Sequence, residues 1–260
     1  MEQKPSPARA RIGLIIPSSN RLTEPQFQRH APPGVQVHVT RLRMTGPHKV
    51  PAIDLLPRIA DAAAALSDAQ CDVIVFHCTA NSMDSGAEMG RRIIETMRSA
   101  TGRPVETTGS ALTEALSALN ARKLVSISPY APSVSHRESA YLAEEGFEVV
   151  RERSLDLPGS DAYIAIPPDE WVRIAQEEED PDADAYLFSC TNIHSIDIIE
   201  DLEKRLDRPV VTSNQATLWT CLRQCGQPDV LPGLGRLFSL QLPASSSARG
   251  ELVEPQGARS

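Results

Sequence analysis

The chain has 260 residues, and 26 lysines and arginines against 34 aspartates and glutamates give it a formal charge of −8. That length suffices to bury one large core or two smaller ones, and the interspersed acids and bases argue against a nucleic-acid partner, which demands a concentrated basic face. No segment approaches the roughly 20 consecutive apolar residues that span a bilayer, and the polar, proline-containing first residues lack the apolar centre of a secretory signal, so the sequence predicts a cytoplasmic protein with no membrane partner.

Apolar periodicity predicts strands at 11–17 and 35–41, an alanine-rich helix at 53–67 and a strand at 71–77. A helix at 86–100, a strand at 104–107 and a helix at 110–119 follow. The series then restarts, with a strand at 123–128, a helix at 133–145 ended by Gly146, and a strand at 147–153. A helix at 168–178, a strand at 185–189, a helix at 196–206, a strand at 210–212 and a helix at 216–224 complete it. Such alternation implies an α/β fold with parallel sheets covered by helices. The restart near Lys123 divides it into two α/β halves, 8–120 and 121–212, with 213–242 returning to pack on the first. Residues 243–260 offer no periodic apolar face and are expected to be a disordered tail.

Two segments nearly repeat each other. Val73-Ile74-Val75-Phe76 runs into His77-Cys78-Thr79-Ala80-Asn81-Ser82, and Tyr186-Leu187-Phe188 runs into Ser189-Cys190-Thr191-Asn192-Ile193-His194. Beyond each lies Arg-Pro-Val-x-Thr, ending at Thr107 and Thr212. A short apolar run that leads into a helix reads as a buried parallel strand, and ligands of open α/β sheets bind at the strands' carboxyl ends. Each half therefore offers one cysteine at its site-forming edge. A thiol near a helix start is more readily ionised, and the backbone N–H groups of Thr79, Ala80 and Asn81, or of Thr191, Asn192 and Ile193, are candidates to hold a carboxylate. Two buried core cysteines are the competing reading.

Pro17-Ser18-Ser19-Asn20 follows the first strand, where Ser19 and Asn20 either bind an oxyanion or cap the next helix. Ser128-Pro129-Tyr130 holds the matching place in the second half, with Tyr130 either a donor to a carboxylate or a packing aromatic. His77 and His194 flank the thiols as bases or as packing residues. Five cysteines without an export signal point to free thiols. Cys221 and Cys225 have a gap that suits metal ligands but no second Cys/His pair, so they read as ordinary helix residues, and no metal is expected.

Gly13-Leu14-Ile15-Ile16-Pro17-Ser18-Ser19-Asn20, the two cysteine segments, Ser128-Pro129-Tyr130 and Thr212-Ser213-Asn214-Gln215-Ala216-Thr217-Leu218-Trp219 together resemble the aspartate/glutamate racemase superfamily. Within it they are similar to the maleate cis–trans isomerase and arylmalonate decarboxylase branch. The resemblance implies two Rossmann-like halves with parallel four-stranded sheets related by a pseudo-twofold axis, an active site between them, and no metal or organic cofactor. It implies Cys78 as nucleophile, Cys190 as acid/base partner, and Asn20 and Tyr130 as carboxylate ligands. Dedicated decarboxylases of this branch have glycine at the first cysteine position, so Cys78 favours two-thiol isomerisation of a small carboxylate or dicarboxylate. Racemisation, decarboxylation and a non-catalytic carboxylate-binding module are the alternatives. A further carboxylate-binding asparagine of the isomerases aligns with Asp161, whose charge would repel a dicarboxylate. A homo-oligomer is compatible with all of these readings.

Overall fold

The computed structural model describes residues 8–44 and 50–243. The expected disordered tail lies, from residue 244 on, outside the described residues. In chain order the first series is β1 (Ala10–Pro17), α1 (Thr23–His30), β2 (Val35–Leu42), α2 (Ala52–Asp68), β3 (Val73–Phe76), α3 (Thr79–Met83), α4 (Gly86–Thr101), β4 (Val105–Thr107) and α5 (Thr108–Ala118). The second is β5 (Lys123–Ser128), α6 (Pro132–Glu144), β6 (Glu148–Ser154), α7 (Ser160–Ala165), α8 (Pro168–Glu177), β7 (Ala185–Phe188), α9 (Ile199–Leu206), β8 (Val210–Thr212) and α10 (Ser213–Gln224).

The strands form two four-stranded parallel sheets, ordered β2-β1-β3-β4 and β6-β5-β7-β8. Their registers correspond: Ile15 lies beside Phe76 and Phe76 beside Thr107, just as Ile127 lies beside Phe188 and Phe188 beside Thr212. Cys78 and Cys190 therefore emerge at the same height on the two sheets.

Strands β3 and β7 are apolar along their whole length because both of their faces are covered. Alternation sends Ile12, Leu14 and Ile16 of β1, with Val73 and Val75 of β3, into a core shared with Leu112 and Leu116 of α5. Ile15, Ile74 and Phe76 point the other way, beneath Leu55, Ile59 and Leu66 of α2 and Ile93 and Met97 of α4. Each such side chain stabilises the fold by about 1.5–3 kcal/mol on full burial.

The repeated threonines have a structural purpose. Thr107 caps α5 in a capping box with Ser110, and Thr212 caps α10 in a capping box with Gln215. These boxes start both helices earlier than apolar periodicity predicts, since Thr-Gly-Ser and Ser-Asn-Gln carry no apolar stripe. Helix α10 packs on α5 and α1 and also meets β3 and β8, so it lies along the seam between the sheets. Cys221 is fully buried within α10 and Cys225 caps its end. Among the described residues no cluster of His, Cys, Asp or Glu could hold a metal ion, and no helix is long and apolar enough to cross a membrane.

Candidate active site

A cleft with about 410 Å³ of empty space, part of it open solvent, lies between the carboxyl ends of the two sheets. From the first half it is lined by Pro17, Ser19 and Asn20 after β1 and by Cys78, Ala80 and Asn81 after β3. From the second half come Tyr130 after β5 and Cys190, Thr191 and Asn192 after β7. The structure thus brings nine of the eleven residues expected at a site to one small space, each from the strand end that predicts it.

Both thiols are buried and free. The Cys78 thiol donates to Asn81 Oδ1 at 3.4 Å. Burial pushes its pKa up to about 12; the backbone N–H of Asn81 opposes this, and the charges of Glu138 and Asp84 add to it. Cys190 is held differently. Its sulfur accepts from the backbone N–H of Asn192 at 3.3 Å and from the Tyr130 hydroxyl, while its own N–H donates to Ser213 Oγ at 3.1 Å. Burial also pushes Cys190 up to about 12, against the pull of these two donors. The sulfurs are electrostatically coupled, so charge on one disfavours charge on the other. A pair so arranged can hold one thiol as an acid while the other carries charge.

Asn192 has a second resource. Its Oδ1 accepts from the Arg21 N–H at 2.9 Å, which fixes the amide's orientation. Its Nδ2 is buried without a hydrogen-bond partner on the wall of the cavity. A buried donor left open in a cavity suits an anionic acceptor.

A polar seam locks the halves around this space. The Asn20 side chain donates to the carbonyl and Oγ1 of Thr191 at 3.1 and 3.0 Å and accepts from Leu22 and Thr23 N–H groups, so it both caps α1 and bridges the halves. Asn214 Nδ2 donates to Gln26 Oε1 and to the Thr191 carbonyl, leaving its Oδ1 to accept from His77 Nε2 at 2.8 Å. His77 therefore carries its proton on Nε2 and accepts from Thr108 Oγ1 at Nδ1, 3.1 Å away. Burial lowers its pKa to about 4, partly offset by Asn214, and its ring meets Phe27 edge-on. His77 is a structural, neutral histidine rather than a base for a thiol. His194 is half-buried and does not line the cavity.

Two expected site residues lie elsewhere. Thr79 is buried but turns its hydroxyl to Ser213 Oγ at 2.9 Å, away from the cavity. Asp161 is also displaced: its side chain is 95% exposed and pairs with Arg21, while its neighbour Ser160 lines the cavity. Successive helix residues point about 100° apart, so Ser160 facing in directs Asp161 outward. The region after Cys190 differs too, being a turn before a short 3-10 segment (Ile196–Ile198) rather than a helix start. Met44 and Tyr163 complete the lining without a signal in the sequence. Met44 arrives because Ser18 Oγ bonds its backbone N–H and carbonyl at 3.3 and 3.2 Å, and Tyr163 stacks edge-on against Tyr130.

The family model of arylmalonate decarboxylase matches residues 12–238. A maleate isomerase of Pseudomonas putida is 29% identical over 242 residues, covering 88% of this chain and 97% of that protein. An arylmalonate decarboxylase of Bordetella bronchiseptica is 32% identical over 187 residues, covering 71% and 78%. Among solved structures, a mutant maleate cis–trans isomerase of Nocardia farcinica with a covalently bound succinylcysteine intermediate superposes with a TM-score of 0.82 at 25% identity, covering 88% of this chain and 98% of that one. The chain belongs to the arylmalonate decarboxylase family.

Proposed function

We propose that this chain is a two-cysteine cis–trans isomerase of a small unsaturated dicarboxylate, with maleate the substrate and fumarate the product. The observation that carries the reading is the pair of buried sulfurs, Cys78 and Cys190, on the wall of one small cavity beside an open amide donor. The succinylcysteine held by the Nocardia farcinica isomerase is the adduct such a pair would make.

In this reading Cys78, as thiolate, adds to one alkene carbon and forms a C–S bond, and the π electrons move into the adjacent carboxylate as an enediolate. Cys190 gives its thiol proton to the neighbouring carbon. The central bond is now single and rotates. Cys190, as thiolate, retakes a proton from that carbon, the C–S bond breaks, and Cys78 leaves as thiolate with the trans alkene restored. The Tyr130 hydroxyl and the Asn192 N–H stabilise the charge on Cys190 between those steps, and the Asn81 N–H does so for Cys78. Ser19, Asn20, Ala80, Thr191 and the Asn192 amide line the space left for the carboxylates. The same proposal divides the chain into 8–120 with 213–242 and 121–212, the substrate lying between.

Decarboxylation of an arylmalonate is the second reading, favoured by the Bordetella bronchiseptica relative. There Cys190 would protonate the carbanion left by carbon dioxide, and Cys78 would have no part. Incubation of the purified protein with maleate, and separately with phenylmalonate, in deuterated water separates the two. Fumarate in the NMR spectrum supports the isomerase; carbon dioxide from phenylmalonate without fumarate from maleate replaces it with the decarboxylase.

A further inference from the structure

A buried carboxyl sits behind the two thiols. Glu138, on the face of α6 turned to the second sheet, is 2% exposed. Its Oε2 accepts from Ser189 Oγ at 2.6 Å, and its Oε1 is buried with no hydrogen-bond partner. Ser189 is the residue directly before Cys190, so this bond anchors the strand end from which that sulfur projects. The other buried acids are better satisfied: Glu203 accepts from the N–H groups of Val210 and Arg236, and Glu106 from Ser110 and Gln224.

The groups facing Glu138 offset a charge on it only in part. From β6 comes Glu152, itself held by His136 and Ser139. From the end of β3 comes Cys78, and from the end of β7 comes Cys190. Tyr130 and Tyr163 approach from the turn before α6 and from α7. Arg137, on the same helix, is turned to Asp84 at 2.6 Å, and Arg91 of α4 reaches Glu145 at the far end of the helix. Burial, with Glu152 adding and Ser189 and Arg137 opposing, raises the Glu138 pKa to about 8, so at neutral pH it is mostly the uncharged acid.

We propose that Glu138 is a positioning residue for the thiol pair: as the uncharged acid it braces the Cys190 strand end through Ser189, and as a carboxylate it opposes the negative charge that each thiol must carry. An orphaned carboxylate oxygen in a buried site is costly, and a neutral acid there lowers that cost without adding a charge beside the sulfurs. The consequence is a brake: above the point where Glu138 ionises, each thiolate forms against a buried like charge.

The proposal rests on the two-thiol reading, and its test has an arm that does not. Alkylation of Cys78 and Cys190 by iodoacetamide, followed by peptide mass spectrometry between pH 6 and 10, reports thiolate formation whether or not maleate is converted. In the parent protein the rate should climb with pH and then bend downward near pH 8. Glu138→Gln, which keeps the shape and cannot ionise, should match the parent within about twofold below the bend and react about tenfold faster above it. Ser189→Ala removes the hydrogen bond that favours the carboxylate, so the bend should move to higher pH. With maleate as substrate, kcat/KM should flatten above the same pH in the parent and keep rising in Glu138→Gln. Profiles of all three proteins that run parallel, offset by a constant factor, overturn the proposal, because a purely structural role gives that result. Should maleate go unconverted while the alkylation bend behaves as stated, the isomerase reading fails and the role of Glu138 stands.

Discussion

Asn192 serves Cys190 with its backbone and the cavity with its side chain: its N–H donates to the sulfur at 3.3 Å, while its Nδ2, fixed by the bond from Arg21, is a buried donor with no partner. A hydrogen bond to a charged group contributes about 1.5–3 kcal/mol. Asn192→Ala keeps the backbone donor and removes the side-chain one. It should raise KM for maleate by about 10- to 100-fold and change kcat by less than about fivefold. Steady-state kinetics decide, and an unchanged KM removes Asn192 from carboxylate binding.

The two sulfurs have different surroundings, and the proposed chemistry needs them to differ. Cys78→Ser should form no covalent adduct with maleate, because a hydroxyl at neutral pH is a far weaker nucleophile than a thiolate. Cys190→Ser should still accumulate an adduct of one maleate mass on Cys78 while turnover falls by about 1,000-fold or more. Intact-protein mass spectrometry after mixing reads both. Label on Cys190 and never on Cys78 reverses the roles.

The parts legible in the sequence are those fixed by period and by strand ends. Val73-Ile74-Val75-Phe76 is apolar on both faces because helices cover both, and that continuous run announces a parallel sheet whose carboxyl end carries Cys78. The repeated Arg-Pro-Val-x-Thr marks equivalent places in the two halves, although the capping by Thr107 and Thr212 shows only in the structure. What escaped depends on single side-chain directions and on tertiary bonds. Asp161 and Ser160 are neighbours in sequence, yet the helix turns one outward and the other into the cavity. Met44 reaches the site only through its backbone bonds to Ser18. Glu138 lies among the polar residues of a helix whose sequence gives no sign that this acid faces the thiols.

His77 should make the protein acid-sensitive in a defined window. Its pKa is about 4 in the fold, against an ordinary value near 6.5. Between those values the unfolded chain binds a proton that the native histidine refuses, so stability is full above the ordinary value and is lost as pH falls toward 4. The contribution is about 3 kcal/mol. His77→Gln offers an amide N–H toward Asn214 and has no proton to gain. In urea unfolding series from pH 4.5 to 7, the parent should lose stability relative to the variant as pH falls. A difference that does not change with pH disproves this account.

Asp161 and Arg21 form an ion pair across the two halves with both side chains largely in solvent, the aspartate 95% exposed and the arginine 51%. Exposed pairs contribute about 0–1 kcal/mol. A charge so placed acts on a substrate in the cavity only through screened water, and Arg21 already offsets it. Removing it leaves the Arg21 guanidinium unopposed beside Asn20, where it attracts a dianion. Asp161→Asn should therefore raise kcat/KM for maleate, by no more than about fivefold at low ionic strength, and the gain should vanish by about 0.5 M salt, where the screening length is only a few ångströms. Kinetics of the two proteins at both ionic strengths test it. A gain well above tenfold that survives high salt would place the carboxylate inside the binding site, and the preferred substrate would then be a monoacid or half-amide rather than maleate.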